Sequence, residues 1–594
     1  MNPGLMSVDY DNAGNRFIIK VPFALNEMAR AFPNRKWDGK IKAWSAPAIR
    51  VNINHIRDSV PPIVLTQVAR DFVNQPVGET GPRSTSLFPV DSIKFKYEPR
   101  PYQMSVLHRF YDSDAAAVFA DMGTGKSKMV IDMAAAKFKA GTVDLLLIFC
   151  PVSLRSNWVE QLEIHCPINF QHYIIGGANT TQTKKRELTN FMTCIPPEKY
   201  ANKLKIAIVG IESLSSSKAA YVVVKSMFNV FGNIFAVVDE SHNIKNPAAK
   251  RTKAVIGLTR PAKYRWILTG TALSNGLEDL YSQYHFLNEG IMGVGSFNAF
   301  KARYITFGGF ENRQIIGYKN VPELMELIKP WTVEIRKRDV LPELPEKIYE
   351  TRPVKLTPEQ RQIYLQTRDS GIADLKSYGT DHKTVFRSIL QISLALQQIV
   401  GGFMSYFDEE RNRHLQEIVP RDKNPKIHAL LDILEQTYSS TIIWSKYIEE
   451  HRQIAEAIKQ VYGPDSAVIY NGTISTEARD EAKHKFLQKE ARFFVANPTV
   501  GGTGLTLNVS DLVIYYSNSF RLTDRLQSED RNHRIGQKNA VTYIDIPARG
   551  TIDTTIMNAI KKKADLLDFV NSAIRDENAA SRLRDLWGEG DDNE

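Results

Sequence analysis

The sequence predicts an α/β protein: two domains built on parallel sheets, with helical insertions, preceded by a small α+β domain. Three observations carry that reading. Continuous apolar runs of strand length alternate with helical patterns over about 95–290, and again after about 440. Strands that apolar throughout belong to sheets covered on both faces. A glycine-rich loop follows one of the first strands, AAAVFA, and opens a helix. A short module of alternating residues at the N-terminus is set apart by QPVGETGPRSTSLFP (75–89), which has linker composition.

At 594 residues the chain exceeds a single core, and three or four domains are expected. Hydrophobic content of 43% and charged content of 24% are those of a folded soluble protein, and the formal charge of +10 is compatible with a polyanionic partner. Cys150, Cys166 and Cys194 cannot build a disulfide framework, and no Cys/His cluster has zinc-ligand spacing, so no zinc is expected. The start, MNPGLMSVDYDN, lacks a basic region followed by an apolar run, and no stretch approaches 18 uninterrupted apolar residues. A soluble protein with no membrane partner is expected, in a bacterial or viral-host cytoplasm, or in the nucleus of a eukaryote.

In chain order, 1–75 reads as the α+β module, with a strand at 16–23, a short helix at 24–32 and a hairpin in KWDGKIKAW (36–44) turning at Asp38-Gly39. A linker follows at 76–94. The first parallel-sheet domain covers 95–290, with strands in AAAVFA, LLLIFC, KIAIVG, IFAVVD and YRWILTG. A helical protrusion is expected over 291–345. The second α/β domain covers 346–575, contains a helical insertion at 355–425, and has strands in TIIWS, SAVIYN, RFFVAN, LVIYYS and VTYIDI. The acidic tail, 576–594, is expected to fray.

The loop in VFADMGTGKSKM fits the phosphate-loop pattern except that Ala120 stands at its first glycine. Gly123 and Gly125 let backbone amides approach phosphate oxygens, Lys126 reaches the β and γ phosphates, and the Ser127 hydroxyl ligates Mg²⁺. Lys128 reads as a solvated helix residue. Asp239 and Glu240 end the strand in IFAVVDESH, Asp239 suited to hold Mg²⁺ and Glu240 to polarise a water. His242 reads as a link from that pair to the rest of the domain, or as a satisfied loop histidine. Thr269 and Thr271 in LTGTALSN are either capping hydroxyls or a relay that senses a γ-phosphate. ANPTVGGTGLTL has no lysine after its glycines, so it is no second nucleotide site; the amides of Gly501, Gly502 and Gly504 suit a nucleic-acid phosphate or the far side of a nucleotide. Finally, DRNHRIGQ carries Asp530, Arg531, Arg534 and Gln537 after Gln527, with the arginines expected on one helical turn.

The order of these segments resembles the Swi/Snf family of superfamily-two ATPases, which translocate on double-stranded DNA. The resemblance runs from PRPYQ (99–103) to GTIDTTI (550–556) through ADMGTGKS, CPVSLRSNW, DESHNIKN, LTGTALSNGLEDLYSQYHFL, IIWSKY, YNGTIS, GGTGLTL and DRNHRIGQ. It implies two RecA-like lobes, ATP and Mg²⁺ as cofactors, and double-stranded or forked DNA as partner. It implies nucleotide binding by Gln103, Met122, Gly123, Thr124, Gly125, Lys126, Ser127 and Gly504, with Gln103 at the adenine. Catalysis falls to Lys126, Asp239, Glu240, Arg531 and Arg534, the last two as arginine fingers, and metal binding to Ser127 and Asp239. DNA backbone contacts fall to Ser153, Asn157, Trp158, Ser445, Lys446, Gly502 and Thr503. Ser241, Ser127 and Asn497-Pro498-Thr499 depart from the family's usual residues without removing a charged catalytic group.

The first module resembles the HARP domain of annealing helicases. Lys36, Lys40 and Lys42, with Arg35, alternate there with Trp37 and Trp44, which suits phosphate contact plus base stacking; a hairpin with core tryptophans and solvated lysines is the other reading. The expected activity is ATP-dependent translocation that remodels DNA structures or displaces bound proteins. Strand separation in replication or repair, or a non-catalytic DNA-binding scaffold, are the alternatives.

Overall fold

A computed structural model describes residues 6–11, 16–22, 35–39, 41–47, 56, 63–74, 88–176, 182–193, 203–270, 276–308, 314–377, 382–408, 410, 412–501, 505–562 and 586–588. The chain forms two compact units, Met1–Val340 and Leu341–Glu594.

The first unit begins with a five-stranded mixed sheet of β1 (Ser7–Asp11), β2 (Arg16–Lys20), β3 (Lys36–Asp38), β4 (Ala43–Pro47) and β5 (Val64–Leu65), in the order β3-β4-β2-β1-β5. Its core is small: Met6, Val8, Phe17, Ile19, Ala46 and Ile56. The expected hairpin is present, with Trp37 opposite Trp44. Its connection runs over 39–42 and Lys42 takes a φ of +47°, so Asp38-Gly39 opens a four-residue loop rather than forming a two-residue turn. The helix expected at 24–32 lies outside the described residues.

The main sheet of this unit holds β6 (Ala115–Ala120), β7 (Leu145–Cys150), β8 (Phe170–Ile175), β9 (Leu204–Gly210), β10 (Ile234–Asp239), β11 (Tyr264–Thr269) and, after a separate hairpin of β12 (Ile305–Gly308) and β13 (Gln314–Tyr318), β14 (Thr332–Ile335). All seven are parallel, in the order β14-β6-β11-β10-β7-β9-β8. Period-two alternation sends Leu145, Leu147 and Phe149 into one apolar layer, and Leu146, Ile148 and Cys150 into the other. Both faces of β7 are thereby covered, which is why its sequence is apolar throughout. Residues 291–345 are not the mostly helical protrusion expected. They contain the helices Phe297–Tyr304 and Val321–Ile328, the β12–β13 hairpin, and β14, which is an edge strand of the main sheet paired with β6.

The second unit is built on β15 (Lys347–Thr351), β18 (Thr441–Trp444), β19 (Ala467–Tyr470), β20 (Phe493–Ala496), β21 (Leu512–Tyr515) and β22 (Val541–Asp545), with β16 (Phe403–Phe407) and β17 (Arg413–Glu417) forming a separate antiparallel hairpin. The six sheet strands are parallel, in the order β15-β22-β21-β18-β20-β19. The insertion at 355–425 carries the long helices Pro358–Ser377 and His382–Gly401 besides that hairpin. The tail does not fray throughout. Leu586 and Trp587 are fully buried against these helices, and the Trp587 indole donates to Ser393 Oγ at 2.8 Å. Among the described residues no helix is long and apolar enough to cross a membrane.

Candidate active site

In the first unit β6, β11 and β10 are neighbours, so the loops at their C-terminal ends converge, as ligand-binding loops do in open parallel sheets. These are the three segments that carry ADMGTGKS, TGT and DESH.

The loop after β6 is shaped by its glycines. Gly123 and Gly125 have φ of +81° and +85°, in the left-handed region that side chains disfavour. At Gly125 a β-carbon would stand 2.3 Å from Gln103 Nε2, so a side chain there would displace the Gln103 amide besides straining the backbone. Gln103 is buried and ties the loop to its own helix: Nε2 donates to Thr124 O at 3.0 Å, and Oε1 accepts from Arg100 N at 3.0 Å. Tyr102 donates to the same Thr124 carbonyl at 2.8 Å. Lys126, first residue of the helix Lys126–Lys139, donates to Ala120 O at 2.7 Å from within the loop. Asp121 fastens the loop to the end of β14, its N–H to Ile335 O at 3.0 Å and its carboxylate accepting from Lys337 N at 2.7 Å. Lys128 is not solvated: it is buried and paired with Asp132 at 2.6 Å.

Asp239 and Glu240 are both buried. Glu240 takes a φ of +50°, a strained conformation for a residue with a γ-carbon and one that clusters at functional sites. Its N–H donates to Asp239 Oδ1 at 2.9 Å, and the indole of Trp158 donates to Asp239 Oδ2 at 2.9 Å. Burial, and then the charge of Glu240, push the Asp239 carboxyl up to about 6; the Lys126 ammonium and the two N–H donors oppose that rise. His242 Nδ1 lies 3.4 Å from Glu240 Oε2 and 3.5 Å from Thr269 Oγ1, so it joins the acidic pair to the end of β11. Gly270 continues that end against the phosphate loop, where a β-carbon would stand 3.6 Å from Ala120 O. Thr271 lies outside the described residues.

The expected DNA contacts divide. Ser153 is exposed and Asn157 partly so, whereas Trp158 is fully buried and committed to Asp239. Trp158 is therefore a positioning residue for the carboxylate and not a DNA contact. No sequence signal gave that role, because its partner lies 81 residues away.

In the second unit Ser445 is also fully buried, its N–H donating to Ala496 O at 3.0 Å and its carbonyl accepting from His451 Nε2 at 3.0 Å. Its hydroxyl is thereby removed from the expected DNA contacts. Lys446 is half-buried: Nζ donates to Gln397 Oε1 at 2.7 Å and lies 3.6 Å over the Phe520 ring, and burial pushes its pKa down to about 7. Gly501 ends the short helix Pro498–Gly501; Gly502, Thr503 and Gly504 lie outside the described residues.

The arginines of DRNHRIGQ are not on a helix. The helix Leu522–Glu529 ends before them, and Arg531 and Arg534 fall in the turns that follow. Arg534 donates to Thr506 Oγ1 at 2.8 Å and Leu505 O at 3.3 Å; Arg531 is buried and reaches Leu505 O at 3.5 Å. Both arginines thus meet the strip that follows GGTG. Gln537 closes the turn by donating to Ser510 O at 2.8 Å.

On the N-terminal sheet the two readings of the hairpin each hold for one tryptophan. Trp44 is partly buried on the small core, while Trp37 is 54% exposed, edge-on to Trp44 at 5.3 Å between ring centroids. Lys36 and Lys42 are exposed and Arg35 lies 5.6 Å over the Trp44 ring; Lys40 lies outside the described residues.

The chain is similar in sequence to known proteins. Residues 102–401 match the family described as the SNF2-related domain, and residues 425–536 match the helicase conserved C-terminal domain. YwqA of Bacillus subtilis, provisionally named an ATP-dependent helicase/translocase, is 27% identical over 83% of this chain and 50% of its own length. The chromodomain-helicase-DNA-binding protein 1-like of Danio rerio is 24% identical over 79% of this chain and 44% of its own. The chain thus spans half or less of the length of these curated relatives. The solved Sulfolobus solfataricus SWI2/SNF2 ATPase core in complex with dsDNA is 23% identical, covering 83% of this chain and 98% of that one, with a TM-score of 0.35.

Proposed function

The chain belongs to the SNF2-related family, and from that premise we propose that it is a DNA-dependent ATPase that translocates along double-stranded DNA. The observation that carries the reading is the charge arrangement around Asp239. A buried carboxylate is held by Trp158 and the Glu240 amide, within electrostatic reach of Lys126 in a phosphate loop. Such a constellation is made for a triphosphate and its cation rather than for packing.

The donors fit Mg²⁺. The Ser127 hydroxyl in the first turn of its helix and the Asp239 carboxylate are hard oxygen ligands, and Asp239 has N–H donors on both its oxygens to orient it. When bound, Mg²⁺ supplies charge neutralisation at the phosphate oxygens. Met122, Gly123, Thr124 and Gly125 present backbone amides to the triphosphate, Lys126 exchanges its carbonyl partners for β and γ oxygens, and Gln103 meets the adenine while bracing the loop. Glu240 takes the proton of the attacking water, with His242 holding its carboxylate. Arg531 and Arg534 act as arginine fingers on the developing charge, and Gly504 lines the same nucleotide.

Ser153 and Asn157 in the first unit, and Lys446, Gly502 and Thr503 in the second, are assigned to DNA phosphates. Lys36, Trp37, Lys40, Lys42 and Trp44 are assigned to a junction or fork, a role supported by the exposed Trp37 ring among basic side chains. That hairpin favours remodelling of DNA structures over the displacement of bound proteins. The first lobe is assigned to about 95–340, because β14 completes its sheet, and the second to about 341–575.

The test is ATP turnover by the full chain with plain duplex, forked duplex or single-stranded DNA. Duplex and fork should stimulate turnover, the fork more than the duplex, and Trp37→Ala should remove the difference. Turnover indifferent to DNA would overturn the reading. DNA affinity should fall steeply with salt and vary little with sequence, as for any grip on phosphates.

A further inference from the structure

The second unit contains a buried polar chain that neither the phosphate contacts nor the arginine fingers explain. Its centre is Arg525, 3% exposed, whose guanidinium grips Asp545 through two nitrogens at 2.6 and 3.0 Å. It also donates to Glu529 at 2.7 Å and Asn518 Oδ1 at 3.0 Å, and lies 3.5 Å over the Tyr515 ring. An Arg held by two carboxylates in a core is no better for stability than apolar side chains of the same volume, so its presence asks for another reason.

Both ends of the chain lead to functional segments. In one direction the Asn518 side-chain amide donates to Asp545 Oδ1 at 2.8 Å, and the Asn518 main-chain carbonyl accepts from Gln397 Nε2 at 2.9 Å. Gln397 Oε1 in turn accepts from Lys446 Nζ at 2.7 Å. In the other direction Glu529, the last residue of its helix, accepts from Lys347 at 2.9 Å and Tyr349 at 2.8 Å, and its carbonyl accepts from His533 N at 3.2 Å and Tyr543 Oη at 3.0 Å. Tyr543 also donates to Asn532 Oδ1 at 3.2 Å. The turn that presents Arg531 and Arg534 is therefore fixed from beneath by Glu529, and Glu529 is fixed by Arg525.

We propose that Arg525 is a positioning residue for the arginine fingers, and that the chain Lys446–Gln397–Asn518–Asp545–Arg525–Glu529 carries the effect of a DNA phosphate at Lys446 to them. This rests on the ATPase reading above. A phosphate drawing on the Lys446 ammonium changes the pull of Gln397 on the Asn518 main chain, which carries the Asn518 amide against Asp545 and Arg525; beyond Asn518 the hydrogen bonds in a dry interior polarise one another. The bidentate Arg525–Asp545 pair is the stiff step, because it fixes orientation as well as distance. Gln397 is the gate: its side chain bridges the Lys446 ammonium to the Asn518 main chain, and it is assigned to neither nucleotide nor DNA.

Coupling is tested by a cycle of variants rather than by proximity. ATP turnover is measured in the full chain with and without saturating plain duplex, for the unmodified protein, Gln397→Leu, Gln397→Glu, Arg525→Lys and the double variant Gln397→Leu/Arg525→Lys. Gln397→Leu cuts the bonds to Lys446 and Asn518, and also the one that Tyr447 Oη donates to Oε1 at 3.1 Å; Gln397→Glu keeps the acceptor toward Lys446 and Tyr447 and loses the donor toward Asn518. Both should leave basal turnover and the KM for ATP in place and lower duplex stimulation by roughly 5- to 150-fold, the usual span of allosteric coupling. The double variant should lose no more stimulation than the worse single variant. Full stimulation in both Gln397 variants, or losses that multiply, would overturn the relay alone. Absence of duplex stimulation in the unmodified protein would overturn the ATPase reading and the relay with it.

Discussion

Trp158 and Asp239 meet through one hydrogen bond, indole Nε1 to carboxylate Oδ2 at 2.9 Å, in a pocket where both are buried. The bond favours the ionised carboxylate against a burial cost that lifts its pKa to about 6. A raised carboxyl pKa means that Asp239 favours folding below its unfolded value, near 3.8, and that this advantage is lost as pH rises through about 6. At neutral pH the ionised Asp239 therefore costs the fold stability. Trp158→Phe keeps most of the apolar contact and removes the donor. A hydrogen bond to a charged group is worth about 1.5–3 kcal/mol, so the acidic limb of the kcat/KM profile for ATP should move up from about pH 6 by roughly one to two units. A limb that stays in place would show that Trp158 only fills space.

Gly125 is constrained twice, by its φ of +85° and by Gln103 Nε2 at 2.3 Å from where a β-carbon would stand. Gly125→Ala forces Gln103 off the Thr124 carbonyl and adds about 1–2 kcal/mol of left-handed strain. ATP affinity, measured by titration of a fluorescent analogue, should weaken by at least about tenfold, with little change in DNA binding. Unaltered affinity would place the nucleotide away from this loop.

The parts that sequence reading reached are those where a single local constraint determines the residue. LLLIFC is legible as β7 because both faces of that strand are covered, and the loop glycines because their φ values admit little else. The edge strands β14 and β15 were missed for the converse reason. TVEI and KIYET each have a face toward solvent, so β14 and β15 carry no apolar run. The arginines of DRNHRIGQ were expected on a helix because their spacing of three allows it; the turn is instead fixed by Gln537 and Tyr543, whose bonds cross 27 and 11 residues. Trp158 and Arg525 acquire their roles from carboxylates on distant strands, 81 and 20 residues away, which no periodicity reveals.

Trp587 anchors a tail whose acidic composition suggested none. Its ring is fully buried among the helices of the second unit, its carbonyl accepts from Tyr364 Oη at 2.5 Å, and Arg368 holds the next carbonyl, of Gly588, at 2.7 Å. Trp587→Ala should cost about 3–5 kcal/mol, read as a lowered denaturation midpoint for the second unit alone. Ser393→Ala, which removes only the indole's acceptor, should cost about 1 kcal/mol. Equal and negligible effects from both would mean that the tail contributes nothing to the fold.

Arg534 separates catalysis from packing most sharply. It donates to Thr506 Oγ1 and Leu505 O, so removing it also releases the strip after GGTG. Lost neutral acceptors cost about 1 kcal/mol each at a half-buried site, whereas trans arginine fingers contribute roughly 10³–10⁵ in rate. Arg534→Ala should therefore leave the Kd for ATP within a few fold and cut DNA-stimulated kcat by about a thousandfold or more. Arg534→Lys keeps the charge and a donor toward Thr506 but loses the planar fork, and should recover folding stability without recovering turnover. If Arg534→Lys restores both, the residue is a structural tie for Leu505 and Thr506, and the finger assignment passes to Arg531 alone.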